Sequence, residues 1–145
     1  MELLHGYYLE DLKVGMSTSY GRTVTETDIA NFAGVSGDTN PLHLNAEFAA
    51  NTRFKQRIAH GMLSAAYIST LIGTRLPGPG CLYISQTLRF TAPVRIGDTV
   101  IATATVTDID TARRRVKLST VCRVGDIVVV DGEAETLLES REKRA

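Results

Sequence analysis

"HGMLSAAYISTLIGTRL", residues 60–76, is the most apolar stretch of the chain and holds no Lys, Arg, Asp or Glu before Arg75. Its spacing predicts a helix over about 60–76, with Met62, Ala65, Ser69, Ile72 and Leu76 sharing one side. The "LPGPG" that follows stops it. After Gly80 the period becomes two. Leu82, Ile84, Gln86, Leu88 and Phe90 alternate with Tyr83, Ser85, Thr87, Arg89 and Thr91. Val100, Ala102, Ala104 and Val106 form a second such series, and Val116, Leu118, Thr120, Cys122 and Val124 a third. "DIVVVDGEAETLL" then follows a tight turn at Gly125 and Asp126. Strands joined by turns this short predict an antiparallel meander. Its apolar face needs a cover, and the 60–76 helix is the one long apolar element available. The expected fold is therefore α+β, a curved antiparallel sheet wrapped around a long central helix.

Upstream, "TETDIANFAGV" at 25–35 puts Ile29, Phe32 and Ala33 on one helical face, with Thr25 and Asp28 spaced as a cap and Gly37 as a left-handed stop. A shorter helix is expected at "NAEFAANTRF", with Asn45 as its cap. No linker or repeat divides the chain, so residues 1–145 read as one domain. Sixteen basic and sixteen acidic residues balance, which argues against a nucleic-acid partner. The charge-dense end "ESREKRA" reads as a solvated tail. "GMLSAAYISTLIG" is too short and too rich in hydroxyls to span a bilayer, and the N-terminus lacks a signal-peptide pattern. Cys81 and Cys122 have no paired spacing, as expected for a reducing cytoplasm.

Candidate chemistry lies in "SGDTNPLHL", residues 36–44. Asp38 alone reads as a turn cap, and a lone His43 in a loop is more often structural. Pro41 changes the weighing, because it fixes its own φ and pushes Asn40 away from helical geometry. A stiff connection between an acid and a histidine suits a catalytic pair, where small misplacements are expensive. The second candidate is "AHGM", where Gly61 opens the central helix with an N–H that has no partner within the helix. Such an N–H suits an anion or a developing oxyanion, although a glycine there also permits close packing. An acid–base pair near an oxyanion donor suits proton transfer next to a carbonyl. No metal is expected, since His5, His43 and His60 show no short ligand spacing. No nucleophile-elbow context surrounds Ser36, Ser64 or Ser69.

Three segments, "FAGVSGDTNPLHLNAEFAANTRF", "IAHGML" and "LRFTAPVRIGDTV", resemble in order and spacing the MaoC-like (R)-specific enoyl-CoA hydratases. The resemblance spans about residues 10–138, and "GDTNPLH" is its most specific element. It implies a hotdog fold and a homodimer. It implies syn-addition of water to a trans-2-enoyl-CoA with no cofactor beyond the coenzyme A of the substrate. Asp38 and His43 would activate the water, with either as base, and the Gly61 N–H would bind the thioester oxygen. Asn40, Ser69 and Ile72 are expected to line the site, with the acyl chain along the central helix near the latter two. Arg53, Lys55 and Arg57 in "TRFKQR" are candidates for the coenzyme A phosphates, against the plainer reading of a solvated helix end. A dehydratase of another acyl thioester, a thioesterase and a non-catalytic acyl-CoA binder are the alternatives.

Overall fold

A computed structural model describes residues 2–142. Four helices precede most of the sheet: α1 (Glu26–Ser36), α2 (Pro41–Leu44), α3 (Ala46–Ala50) and α4 (Gly61–Thr74). The strands are β1 (Ser17–Thr23), β2 (Leu82–Gln86), β3 (Arg89–Phe90), β4 (Thr99–Asp110), β5 (Arg115–Val124) and β6 (Ile127–Leu137). They form one antiparallel sheet in the order β1-β4-β5-β6-β2, with β3 also paired to β6. The expected meander is β4-β5-β6. Val100, Ala102, Ala104 and Val106 of β4 and Val116, Leu118 and Cys122 of β5 turn inward, as the period-two pattern requires. They pack with Leu63, Ile68 and Leu71 of α4 in one hydrophobic cluster. The sheet is thus closed over the helix.

Four details differ from expectation. The strand expected over 82–91 is broken, with a register shift between Tyr83 and Ser85 and a gap between β2 and β3. The stiff connection after Asn40 is itself a helical turn, α2, with Pro41 in its first position. β1 has no apolar alternation, so periodicity does not reveal it. It is held by an antiparallel backbone ladder to β4, to which hydroxyl pairs add, including Ser19 with Thr103 at 2.8 Å and Thr23 with Thr99 at 2.7 Å. The fourth difference is the orientation of α4. Leu63, Ser64, Tyr67, Ile68, Leu71 and Ile72 face the sheet, while Met62 and Ser69 on the expected side are exposed. A helix without charge on any face carries little periodic signal to choose between its sides.

Both caps of α1 form as expected. Thr25 and Asp28 make a reciprocal capping box, and Gly37 closes the helix at φ 76°. The C-terminal end is less free than a solvated tail, because Arg141 pairs with Asp11 and Ser140 with Glu10. The last part of that expected tail, 143–145, lies outside the described residues. Among the described residues no helix is long and apolar enough to cross a membrane.

Candidate active site

The turn α2, the loop over 53–60 and the start of α4 line one cavity of about 390 Å³, closed on its far side by 90–94 and by Val129 and Val130. Gly37 reverses the chain, so Asp38 emerges directly beyond α1. Asp38 Oδ1 accepts the Asn40 N–H at 3.3 Å, and Asn40 Oδ1 accepts the Leu42 N–H at 3.0 Å. These two bonds wind 38–43 into a tight spiral. Asn40 is therefore exposed and spent as the cap of α2; it builds the turn and is not among the residues lining the cavity.

His43 is buried, and its Nδ1 lies 2.8 Å from the Ile58 carbonyl. A carbonyl only accepts, so Nδ1 carries the hydrogen and Nε2 is left for chemistry. The structure adds a residue that the sequence reading passed over. His60, 2% exposed, stacks on His43 with 3.9 Å between ring centroids, and its Nε2 donates to the Asp38 carbonyl at 2.9 Å. Its Nδ1 is buried without a partner. The only local signal was a histidine directly before the helix-opening glycine, and periodicity gives such a residue no weight.

Nitrogen or carboxylate atoms of Asp38, His43 and His60 all lie within 4.8 Å of one another. His43 Nδ1 and His60 Nε2 are both taken up by backbone carbonyls, so His43 Nε2 and His60 Nδ1 are the ring nitrogens left in that trio. Atoms of Asp38 and His43 lie within 4.8 Å of each other, a separation one bridging water can span, since two hydrogen bonds of ~2.8 Å from one oxygen reach about 4.5 Å.

Gly61 is the first residue of α4, and its helix end has no side-chain cap. Gly61 lines the cavity, and its N–H lies at the positive end of the helix dipole. The Phe90 ring packs so close that a Cβ on Gly61 would sit 2.7 Å from two ring carbons. A side chain at position 61 would therefore have to displace the Phe90 ring. His43, His60 and Gly61 share one cavity wall, while Asp38 is exposed and outside the lining, with its carboxylate within 4.8 Å of both histidines.

The family model described as "MaoC like domain" matches residues 11–127. The chain belongs to the MaoC-like domain family. It is 53% identical over 135 residues to an (R)-specific enoyl-CoA hydratase of Rhodospirillum rubrum, covering 93% of this chain and 94% of that one. It is 49% identical over 136 residues to a 3-hydroxybutyryl-CoA dehydratase of Methylorubrum extorquens, covering 94% and 87%. Among solved structures, the unliganded R-hydratase from Pseudomonas aeruginosa superposes with a TM-score of 0.87 at 44% identity, over 95% of this chain and 91% of that one. The fold is the hotdog fold.

Within this MaoC-like domain the remaining candidates separate. Ser69 lines a second, more open groove of about 570 Å³ between α4 and β2, with Met62 common to both cavities. Ile72, expected beside an acyl chain, is fully buried and lines neither cavity, because it falls on the sheet side of α4. Arg53 lines the cavity shared by His43 and Gly61, its guanidinium 4.9 Å from the Phe54 ring centroid. Lys55 is exposed on a left-handed residue at φ 63°. Arg57 is occupied within the protein. Its Nη1 and Nη2 grip Glu26 at 2.8 and 2.9 Å, and its Nε donates to the His43 carbonyl at 2.6 Å. That guanidinium holds the Glu26 carboxyl below its ordinary range.

Proposed function

We propose that this MaoC-like protein hydrates trans-2-enoyl-CoA thioesters reversibly to (R)-3-hydroxyacyl-CoA, with Asp38 and His43 sharing the reacting water. The observation that carries the reading is the approach of the Asp38 carboxylate and the His43 ring to within 4.8 Å of each other, with His43 on the cavity that the uncapped start of α4 at Gly61 also lines. Water attacks C3 while one of the pair takes its proton. Negative charge gathers on the thioester oxygen, where a fixed N–H at a helix start contributes about 3 kcal/mol. The other member of the pair protonates C2. Both transfers come from one side of the substrate, which accounts for syn addition. Water is the only co-substrate, and the scheme calls on no cofactor.

Arg53, at the cavity wall, is the best placed cation for a coenzyme A phosphate, and Lys55 lies two residues on. The groove by Ser69 is the proposed path of the acyl chain. A homodimer is part of the same proposal. β2 ends the sheet with Leu82 and Ile84 exposed, and the open groove along α4 lies beside it. Two free cysteines suit a cytoplasmic setting. The test is loss of the conjugated enoyl absorbance of crotonyl-CoA, with chiral analysis of the product. No turnover, or an (S) product, would contradict the reading. Light scattering at low micromolar protein is expected to give about twice the 15.8 kDa chain mass. A fully active monomer would remove the dimer.

A further inference from the structure

The catalytic turn 38–43 is held by a separate strip of backbone, 57–60. Ile58 O receives the His43 ring hydrogen, Ile58 N donates to Leu42 O at 3.4 Å, and His60 donates to Asp38 O. The strip is itself anchored where Ala59 N donates to Val94 O at 2.7 Å. Arg57 closes its outer end. Three of the five guanidinium donors are committed, one to the His43 carbonyl and two to Glu26 in the first turn of α1. The Arg57 side chain is 16% exposed and that of Glu26 60%.

An exposed ion pair between long side chains contributes little to stability. This one has a geometric consequence instead. α1 runs from Glu26 to Ser36, directly before Asp38, so the clamp ties the start of that helix to the backbone of His43. We infer that the Glu26–Arg57 pair is a positioning device for the acid–base pair, with Arg57 setting the height of the His43 ring through its carbonyl, and that Arg57 is not a coenzyme A phosphate ligand. The inference rests on the hydratase reading for its kinetic consequence. A planar fork is essential to it, because lysine has neither the Nε donor nor the paired Nη groups. A phosphate, by contrast, accepts lysine as a point charge.

The experiment compares wild type, Arg57→Lys and Glu26→Ala on crotonyl-CoA and on crotonyl-pantetheine, which lacks the nucleotide phosphates. Thermal melts establish that each variant is folded. Arg57→Lys is expected to lower kcat roughly ten- to a hundredfold on both substrates, as small misplacements do, with KM within about threefold. Glu26→Ala is expected to lower kcat on both by a smaller factor, and it decides alone if Arg57→Lys does not fold. An effect confined to KM for the coenzyme A substrate overturns the inference, as does unchanged kcat in either variant. The His43 ring resonance, assigned by its loss in His43→Ala, gives a readout without turnover. It is expected to move in both variants, and a stationary signal overturns the inference. Wild type inactive on both substrates would count against the hydratase reading, while the resonance still tests the clamp.

Discussion

Replacing His60 with phenylalanine separates its anchoring role from its packing role. A ring stacked on His43 and tilted against Phe32, where His60 has centroid distances of 3.9 and 4.9 Å, is retained. The bond from Nε2 to the Asp38 carbonyl is lost, a cost of about 1 kcal/mol. The buried, unpartnered Nδ1 is removed as well, which returns about 1–3 kcal/mol. The larger ring costs about 1 kcal/mol in overpacking. These contributions cancel to within about 1 kcal/mol, so Tm should move by less than about 4 °C, at 2–4 °C per kcal/mol for a chain of roughly this size. Activity should not be spared. Asp38 loses the anchor of its main chain, and kcat is expected to fall roughly ten- to a hundredfold. His60→Ala should behave differently, losing about 2–4 kcal/mol to the cavity it opens. Circular dichroism melts and initial rates on crotonyl-CoA measure both effects. A folded His60→Phe enzyme with wild-type kcat would refute the claim that this hydrogen bond positions Asp38.

Gly61→Ala is expected to fold, since the Phe90 ring it displaces is half exposed and can turn away, while kcat/KM falls because that ring moves at the cavity wall beside the oxyanion donor; unchanged kcat/KM with short and long enoyl-CoAs would count against it. Acid sensitivity follows from carboxyls held below their ordinary values of 3.8 for Asp28, by Arg22, and 4.5 for Glu26, by Arg57. A depressed folded-state value means stabilisation that is fully present above the unfolded value and lost as pH falls through the folded one. Tm should therefore decline below about pH 4.5, and Asp28→Asn should flatten that decline. A Tm that rises on acidification through this range would have the wrong sign.

The central architecture was legible because β4 and β5 alternate strictly and are buried on one face, which period two reports directly. The capping box at Thr25 and the stop at Gly37 were legible because local side-chain chemistry alone determines them. β1 was not, since its backbone ladder to β4 is formed by a serine- and threonine-rich segment whose composition looks like a loop. The sheet-facing side of α4 was misread because an uncharged helix has no polar face to mark its outside. At the site, Asp38 and His43 stood out as unusual residue types in a stiff turn. His60 and Arg57 did not, because their roles come from contacts made 22 and 14 residues away. No local pattern encodes such contacts.

The central claim is that Asp38 and His43 act on one water as a unit, and a double-mutant cycle on kcat/KM with crotonyl-CoA tests it most directly. Asp38→Asn and His43→Ala should each lower the value by roughly two or more orders of magnitude. The double variant should be scarcely worse than the weaker single, because either loss already disables the shared proton transfer. Near-normal activity in either single variant, or losses that multiply in the double, would contradict the account.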